Sequence, residues 1–441
     1  MSVQRDTICA LATGSPPSAI SVIRISGPAV IPITDRVLRG GLPSPRKAQL
    51  DTLLDGDGLE IDTGLMVFMP GPASYTGEDT IEMSLHGGRI IVEKALEALF
   101  AAGARLAEPG EFTRRAFEAG KLDLTRAEAV ADLIDAESDA QHQQAIKQMD
   151  GALATLYEGW REELTNCLAL LEASIDFPDE EDAPDRVDAP VMEKLVTLKA
   201  NLNEALAGGN ITERIRDGFR IAILGEPNAG KSTLLNRLAK REAAIVTDIA
   251  GTTRDVVEVR LVLGGYLVWI SDTAGLRETT DLVEAEGVRR ALKAGEEADI
   301  RIWLYDGRSG FTLDAEVRPS DIVVANKSDL GIDLDVSRET IQISAKSDSD
   351  LDGLENAIIQ RLDQMQSRAT APLLTRARHR QGISLALSYL EKAQSLLQLG
   401  YGAELVAEEV RLGARALGSL TGHVDTEAIL GAVFSSFCIG K

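Results

Sequence analysis

The spacing of apolar residues predicts a mixed α/β structure for the first 119 residues. Apolar and polar positions alternate in two stretches, which is typical of half-buried strands, and a third stretch is a continuous apolar run. Residues 89–102 instead carry apolar side chains at helical spacing and stop at Gly103. The Gly- and Pro-containing stretch 71–79 predicts a loop between two of the strands. The predicted strands are 19–26, 65–69 and 80–85.

Helical spacing dominates the next hundred residues and returns near the C-terminus. The acidic, proline-containing stretch 178–190 interrupts it and predicts a solvated linker. A Gly-Gly pair at 208–209 predicts the end of the helix that follows the linker. We expect the blocks 120–217 and 372–441 to pack as one helical domain into which residues 218–371 are inserted. The predicted helices are 122–149, 153–175, 191–206, 374–399, 404–420 and 426–434.

Residues 219–233, FRIAILGEPNAGKST, place a glycine-containing loop between a predicted buried strand and a helix. Residues 225–232 fit the phosphate-binding pattern G-x-x-x-x-G-K-[ST]. Glycines let backbone N–H groups surround an oxyanion, and the helix N-terminus adds a positive dipole end. In this pattern Lys231 supplies a positive charge to the outer phosphates, and Ser232 supplies a hydroxyl ligand to Mg²⁺. The predicted nucleotide contacts are Asn228, Ala229, Gly230, Lys231, Ser232 and Thr233.

Three further motifs, each after a predicted strand, indicate that the nucleotide is GTP. The DTAG motif at 272–275 offers a carboxylate for Mg²⁺-bound water and a glycine N–H for the γ-phosphate. In the NKSD motif, Asp329 can accept hydrogen bonds from guanine N1–H and N2–H₂, which adenine does not offer. The backbone of the SAK motif at 344–346 can meet guanine O6. The predicted GTP contacts are Asp272, Thr273, Ala274, Gly275, Asn326, Lys327, Asp329, Ser344, Ala345 and Lys346.

Composition narrows the class of protein. The 441 residues are 44% hydrophobic, and this length predicts about three domains with sizeable cores. The net charge of −23 disfavours general nucleic-acid binding, because phosphates are held by Lys and Arg, so any RNA contact is expected to be local or supplied by a partner. Three widely spaced cysteines predict no disulfide framework. Since neither a signal peptide nor a membrane-spanning run is evident, we expect a cytoplasmic protein without membrane contact.

Motifs outside the nucleotide-binding stretch resemble those of the MnmE (TrmE) family of tRNA-modification GTPases. The matching stretches are DTICALAT at 6–13, VIRISG at 22–27, SYTGED at 74–79, HGG at 86–88, EFTRRAF at 111–117, GKLDL at 120–124 and FCIGK at 437–441. The stretch 14–18, GSPPS, departs from the proline-then-glycine loop that is usual in the family.

The resemblance covers the whole chain and implies a multidomain fold, α/β plus all-α. It implies an N-terminal α+β folate-binding-like domain at 1–119, a helical domain at 120–217 and 372–441, and an inserted Ras-like P-loop GTPase domain at 218–371.

The same resemblance implies a reaction and its partners. Such proteins form a homodimer and work with the FAD-dependent protein MnmG in a heterotetramer. Together they place an aminomethyl-type group, such as carboxymethylaminomethyl, on C5 of wobble uridine 34 of certain tRNAs. The one-carbon donor is a tetrahydrofolate derivative, in its 5,10-methylene or 5-formyl form. The positions that match the folate site are Arg24, Glu82, Lys121 and Lys441, and Cys438 matches a cysteine with a suspected catalytic role.

GTP hydrolysis needs a group other than the residue that follows DTAG, because Leu276 has no donor or acceptor with which to orient water. The resemblance implies that GTPase domains pair across their nucleotide faces and that K⁺ neutralises charge in the transition state. Glu284 matches a residue that positions the attacking water. The implied K⁺ ligands are Asn228, Thr247, Ile249 and Thr252, Thr253 joins Ser232 at Mg²⁺, and the same loop adds Asp248, Ala250 and Gly251 to the GTP contacts.

Two other functions remain compatible with the GTP motifs. A ribosome-assembly GTPase carries similar motifs, usually beside a basic RNA-binding domain, whereas the flanking segments here are acidic or nearly neutral. A nucleotide-switched scaffold would need no folate chemistry. Folate binding by residues 1–119 would separate both alternatives from the tRNA-modification hypothesis.

Overall fold

The computed structural model describes residues 6–176, 188–241, 257–272, 293, 295–309, 318, 320–332, 340–347, 350–367, 374–424, 427–435 and 437–440. The chain forms two compact units. The first unit contains residues 1–131 and 418–441, and the second contains residues 132–417. The predicted multidomain fold class, with an α/β part, an all-α part and a P-loop module, is confirmed. The division at residues 119, 217 and 371 stays a prediction.

The first unit is built on a six-stranded sheet of order β3-β4-β5-β2-β1-β6, in which only β1 and β6 are parallel. One face packs against two helices through a core that includes Ile23, Met66 and Met83. The opposite face leaves Leu50 and Leu65 exposed. The elements are β1 Ile8–Leu11, β2 Ser18–Ser26, α1 Val30–Val37, β3 Gln49–Leu54, β4 Glu60–Met69, β5 Thr80–Gly87, α2 Arg89–Ala101 and β6 Arg105–Leu106. The three predicted strands and the predicted helix are therefore confirmed.

The rest of the first unit is helical. The helices are α3 Glu111–Glu118, α4 Leu124–Asp135, which continues into the second unit, and α12 Glu427–Ser435. Leu124 and Ala127 pack with Val433, Phe434 and Phe437 in a separate apolar cluster. This cluster anchors the C-terminal segment on the first unit.

The helices of the second unit correct two predictions. The predicted helix 122–149 is two helices, because Ser138 adopts an extended conformation and forms a capping box with Gln141. The helix predicted to end at 208–209 continues to Asp217, since Gly209 serves close packing: an added Cβ would lie 3.0 Å from the Leu374 side chain. The elements are α5 Asp139–Met149, α6 Ala152–Asp176, α7 Asp188–Asp217, α10 Ala377–Gln398 and α11 Ala403–Thr421.

The start of α7 at Asp188 also shortens the predicted linker 178–190, whose residues 178–187 lie outside the described part of the chain. Pro190 lies in the first turn of α7, where the absence of a backbone N–H costs no helical hydrogen bond.

A second six-stranded sheet, of order β12-β11-β10-β7-β9-β8, forms the rest of the second unit. All neighbours are parallel except β8 and β9, which form an antiparallel hairpin. The elements are β7 Phe219–Leu224, α8 Lys231–Arg241, β8 Val257–Leu263, β9 Tyr266–Asp272, β10 Ile300–Asp306, β11 Ile322–Asn326, a 3₁₀-helix Ser328–Leu330, β12 Ile341–Gln342 and α9 Leu351–Ser367. Each GTP motif that the structure describes lies at the carboxyl end of a parallel strand, where α/β sheets bind ligands. Among the described residues, no helix is both long and apolar enough to cross a bilayer.

Candidate functional site

The backbone of residues 225–230 has the form of a phosphate-binding loop. Gly225 has φ 144°, and a Cβ there would overlap the Leu304 carbonyl, so the position requires glycine. Asn228 also has positive φ, at 62°, which Asn tolerates better than most residues. Helix α8 begins immediately afterwards at Lys231. The loop therefore places a helix N-terminus at the edge of the sheet, where an anion would be stabilised.

Lys231 is held over this loop. Its side chain is buried, with the residue only 6% exposed, and Nζ donates to the carbonyl oxygens of Gly225 and Glu226 at 2.8 Å each. Ser232 and Thr233 lie exposed in the first turn of the helix. A fixed ammonium next to an exposed hydroxyl is the arrangement that phosphate and Mg²⁺ binding require.

Asn326 connects three of the predicted GTP motifs. Its residue is 2% exposed, and Nδ2 donates to the Ala229 carbonyl of the phosphate loop at 2.7 Å. Oδ1 accepts from the backbone N–H groups of Lys327 at 2.8 Å and Ala345 at 2.9 Å. The side chain therefore fixes the relative positions of the loop, the NKSD motif and the SAK motif. Sequence reasoning assigned Asn326 to GTP, and the structure adds this positioning role.

Lys327 meets an acidic residue that sequence reasoning missed. Its Nζ lies 2.8 Å from Oδ2 of Asp306, which ends β10. Hydrogen bonds from Arg308 and then from Lys327 hold the pKa of Asp306 below its usual value. Asp306 thus stays ionised and holds the Lys327 ammonium at the nucleotide edge, which is the edge of the second sheet where residues 225–232, 326–329 and 344–346 lie. Its position at the end of a central strand was the only available signal.

Asp329 and Ser344 contact each other at the predicted guanine side of this edge. Ser344 Oγ donates to Asp329 Oδ1 at 2.9 Å, and Asp329 is otherwise exposed in the short 3₁₀-helix. The Ser344 backbone N–H donates to Asp350 at 3.1 Å. The carbonyl of Lys346, the third SAK residue, accepts from Arg237 at 2.7 Å. The arrangement leaves a carboxylate facing solvent at the place where guanine donors are expected.

Several predicted residues cannot be placed. The backbone of Asp272 ends β9 and pairs with Ile223, next to the phosphate loop, but its side chain is not described. Outside the described residues lie Thr247, Asp248, Ile249, Ala250, Gly251, Thr252, Thr253, Thr273, Ala274, Gly275, Glu284 and Lys441.

The first unit brings Arg24 and Glu82 together. They face each other across β2 and β5, and Arg24 Nε donates to Glu82 Oε1 at 2.9 Å. The guanidinium lies over the rings of Tyr75 and Phe112, 5.6 and 5.5 Å from their centroids. Burial raises the pKa of Tyr75, whose hydroxyl contacts Thr113 at 3.0 Å. The pair is therefore partly exposed, and its guanidinium packs against the half-buried Tyr75 ring and the fully buried Phe112 ring.

A buried ionic network supports the loop that carries Tyr75. Arg115 donates to Glu78 at 2.9 Å and to Glu111 at 2.8 Å, and Arg105 makes two hydrogen bonds to Glu111. Burial raises the pKa of Glu111, but hydrogen bonds from Arg105, the Glu108 N–H and Arg115 outweigh this and lower it to about 2. The network ties the 71–79 loop to α3, which carries Phe112.

Lys121 and the C-terminal segment also lie against this unit. A Cβ at Gly77 would be 3.4 Å from Lys121 Cε, so the lysine stem runs beside the same loop. Ile439 pairs with Pro109, and Gly440 packs against the Leu11 carbonyl at the end of β1. Leu11 is paired with Ile23, the neighbour of Arg24. The terminal segment therefore packs against β1 and residue 109 of the first unit as far as Gly440.

Comparisons with known proteins agree over nearly the whole chain. A family profile described as the MnmE helical domain matches residues 124–438, and one described as the GTP-binding protein TrmE N-terminus matches residues 7–121. The tRNA modification GTPase MnmE of Hyphomonas neptunium is 55% identical over 438 residues, covering 99% of each chain. That of Caulobacter vibrioides is 51% identical over 450 residues, covering 99% of this chain and 100% of its own. The chain belongs to the MnmE family of tRNA modification GTPases.

A solved structure is also similar to part of the chain. The G domain of the T. maritima FeoB iron transporter covers 32% of this chain and 98% of its own, at 20% identity. The TM-score of the superposition is 0.26.

The three cysteines differ in accessibility. Cys438 is exposed, and its carbonyl oxygen accepts from the Gly110 N–H at 3.4 Å. Cys9 and Cys167 are buried, and burial raises the pKa of both thiols, that of Cys9 to about 12. Of the three thiols, that of Cys438 is therefore the one that a substrate can reach.

Besides Asp306, sequence reasoning assigned no role to Tyr75 and Phe112. Both lie inside stretches that carried the family resemblance, SYTGED and EFTRRAF. Only the folded structure shows that the two rings meet the Arg24 guanidinium. No group of three or more His, Cys, Asp or Glu residues in the described part of the chain is arranged to hold a metal ion.

Proposed function

We propose that this protein hydrolyses GTP and, with the flavoprotein MnmG in a heterotetramer, installs an aminomethyl-type group on C5 of wobble uridine 34 of certain tRNAs. The one-carbon donor is a tetrahydrofolate derivative, in its 5,10-methylene or 5-formyl form. The reaction takes place in the cytoplasm and requires no membrane. Residues 1–119 hold the folate, and residues 218–371 form the GTPase domain between the helical blocks 120–217 and 372–441.

The single observation that carries the folate part is the Arg24–Glu82 pair between Tyr75 and Phe112. A guanidinium and a carboxylate can hydrogen-bond the donor and acceptor edge of a pterin, and the half-buried Tyr75 ring can contact its face, while the fully buried Phe112 ring packs against the guanidinium. Lys121 lies at the rim of the same loop, where its ammonium suits a glutamate tail. We assign Lys441 and Cys438 to the same site, because the segment before Lys441 packs beside β1.

The nucleotide edge supports the GTP part of the proposal. In it, Lys231 neutralises the outer phosphates, Ser232 and Thr253 serve Mg²⁺, and Asp329 selects guanine. Since Leu276 cannot orient water, Glu284 takes that role. A K⁺ ion at Asn228, Thr247, Ile249 and Thr252 supplies a positive charge beside the phosphates when it is bound.

The open sheet face of the first unit supports the homodimer. Leu50 is paired with Leu65, and Leu65 with Ser84, so their side chains share the face that carries Arg24 and Glu82. Leu50 is 69% exposed and Leu65 48% exposed. Exposed apolar side chains in a row on one sheet face are typical of a surface that pairs with another protein. We propose that a second copy covers this face.

The test compares wobble uridines by mass analysis in cells that lack the protein and in cells that receive the parent or a variant. Glu82→Gln should remove most of the modification and weaken 5-formyltetrahydrofolate binding, because it replaces the carboxylate partner of Arg24. Glu60→Gln is the matched control, since Glu60, on β4 of the same sheet, makes exposed contacts with Arg39 and Thr63. Normal wobble uridines in cells lacking the protein would reject the proposal, and a defect in ribosomal subunits in those cells would favour the ribosome-assembly alternative.

A further inference from the structure

The β8–β9 hairpin lies in the sequence between two segments that are predicted to bind GTP and its metal ions. β8 begins at Val257, shortly after Thr252 and Thr253 in the sequence, and β9 ends at Asp272, the first residue of DTAG. Both of its ends therefore continue into segments assigned to the γ-phosphate and the metal ions. Any displacement of those segments acts on the hairpin through the covalent chain.

The turn of this hairpin caps a helix of the helical part. The carbonyl oxygen of Gly265 accepts from the backbone N–H of Ala140 at 3.0 Å, in the first turn of α5. The first N–H groups of a helix have no intrahelical partner, so an external carbonyl satisfies one of them. Ser138 Oγ accepts from Gln141 N–H in the same turn. The start of α5 is thus completed partly by its own cap and partly by the hairpin.

Both strands of the hairpin add side-chain contacts to the helical part. Arg260 on β8 pairs with Glu137, before α5, at 3.0 Å, and stacks on Trp269 of β9 at 5.3 Å. Trp269 Nε1 donates to the Asp217 carbonyl at the end of α7 at 2.8 Å. A Cβ at Gly218 would come within 2.6 Å of the Trp269 ring, so this contact is close. The hairpin is therefore fastened to both α5 and α7.

A cavity of about 260 Å³ lies beside these contacts, lined by Gln141, Gln144, Arg216 and Arg260 among others. Gln144 is 6% exposed, and its Nε2 donates to the Thr212 carbonyl at 3.1 Å. Within the described part of the chain, neither Gln144 Oε1 nor Arg260 Nε has a hydrogen-bond partner. An acceptor and a donor that both lack partners, beside open space, allow a second arrangement of the hairpin. Coupling between sites requires such an element with two arrangements.

We propose that the β8–β9 hairpin transmits the state of the nucleotide to α5 and α7, and that Arg260 is the positioning residue of this connection. The proposal rests on the assignment of GTP to the nucleotide edge. In it, the hairpin shifts against α5 when the γ-phosphate is lost, and the Arg260–Glu137 pair forces the start of α5 to follow. Without that pair the hairpin still responds to the nucleotide, but the helices do not.

Hydrogen exchange of the full-length protein tests this directly, with GDP compared with a non-hydrolysable GTP analogue in Mg²⁺ and K⁺. In the parent, peptides covering 257–272 and 137–145 should change their exchange rates together. In Arg260→Met, which keeps the apolar stem, the hairpin peptide should still respond, while the response at 137–145 should fall about fivefold or more, within the usual range of coupling strengths. Arg220→Met is the control, because the Arg220 side chain, on β7, forms a longer, exposed ion pair with Glu297, at 3.7 Å, and Glu297 lies outside α5 and α7.

A charge reversal separates coupling from simple damage to the fold. Combining Arg260→Glu with Glu137→Arg should restore the response at 137–145 that each single change removes. A full response at 137–145 in Arg260→Met, or none in the parent, would overturn the proposal. The peptide covering 225–233 reports nucleotide binding independently, so an absence of protection there would contradict the GTP assignment itself.

Discussion

The nucleotide edge of the second unit and the Arg24–Glu82 site of the first unit are built in different ways. At the nucleotide edge, each motif is a short contiguous stretch that directly follows a parallel strand, so the sheet itself brings the motifs together. In the first unit, β2, β5, the 71–79 loop and α3 each contribute one side chain. The comparison shows that a site formed by backbone loops can be predicted from local sequence, whereas a site formed by scattered side chains depends on the tertiary structure.

The two sites also differ in what holds them together. Asn326 fixes the nucleotide edge with three hydrogen bonds from a neutral amide. Glu111 fixes the first unit through two guanidinium groups and a backbone N–H. Since the amide does not titrate and the carboxylate does, the contacts of Glu111 should depend on pH, whereas those of Asn326 should not.

The largest expected effect comes from removing the C-terminal residues, and it shows whether tRNA modification can be lost while GTP hydrolysis is kept. Deleting residues 438–441 should reduce wobble-uridine modification about 100-fold or more, because a thiol and an ammonium leave the proposed folate site. GTP hydrolysis in K⁺ should stay within about twofold of the parent, since those residues pack on the first unit. The measurements are the GTPase rate, folate affinity and tRNA modification of one truncated protein.

Cys438→Ser is the matched control for this deletion, because it removes the exposed thiol and keeps the packed backbone. Full modification by the truncated protein would remove the tail from the site. Loss of GTPase activity together with modification would instead show that the tail supports the fold.

The next largest effect is expected on the affinity for GTP when the residue that recognises guanine at the nucleotide edge is changed. Asp329→Asn should weaken GTP binding about 100-fold, because hydrogen bonds to a charged group contribute about 1.5–3 kcal/mol each. The substitution keeps an oxygen that can accept from Ser344 Oγ, so the local fold should survive. Xanthosine triphosphate should bind better to the variant than to the parent. Equilibrium titration with both nucleotides checks this, and unchanged affinity for GTP would refute the guanine assignment.

Dependence on the monovalent cation should be a smaller effect at the same edge. The parent should hydrolyse GTP about tenfold or more faster in K⁺ than in Na⁺, because one well-placed charge strongly stabilises the transition state. Asn228→Gly should bring the two rates together while GTP still binds. Glycine is chosen because φ is 62° at this position, so that only the side-chain oxygen is lost. Equal rates of the parent in the two salts at matched ionic strength would contradict K⁺ binding.

The sequence predicted most of the framework, for reasons that are local. The described strands before the GTP motifs are short apolar runs ended by Gly, Asp or Asn, and the structure has strands at Phe219–Leu224, Tyr266–Asp272 and Ile322–Asn326. The break at Ser138 was missed, although Ser followed by Gln three residues later is a capping-box pattern. The end predicted for α7 at 208–209 was wrong because Gly209 contacts Leu374, which lies 165 residues later in the sequence. No local sequence pattern indicates such a contact.

In both sites, the contacts between side chains could not be predicted from the local sequence. Asn326 was expected to contact only the nucleotide, and its bonds to Ala229 and Ala345 depend on how β7, β11 and β12 are arranged. Tyr75 and Phe112 come from a loop and a helix that meet only in the folded first unit. Resemblance to a family supplied Arg24 and Glu82, but the aromatic rings beside them became apparent from the structure.

The smallest expected effect is a pH-dependent loss of stability at the Glu111 network of the first unit. Because Glu111 has a pKa of about 2 in the folded chain and about 4.5 otherwise, its ionised form stabilises the fold at every pH above about 4.5. That contribution is lost as the pH falls from about 4.5 to about 2. Glu111→Gln also turns a donor toward Arg105 and Arg115, so it should cost about 2 kcal/mol at pH 7. Glu60→Gln, at an exposed pair, should cost almost nothing.

Urea unfolding of the full-length proteins between pH 7 and pH 3 measures this difference, with GTP hydrolysis as the internal reference. The midpoints of the parent and of Glu111→Gln should differ most at pH 7, keep that separation down to about pH 5, and converge as the pH falls further. A separation that stays constant to pH 3 would show that the carboxylate acts through its shape rather than its charge. An equal loss of GTPase activity at pH 7 would show that the effect is not confined to the first unit.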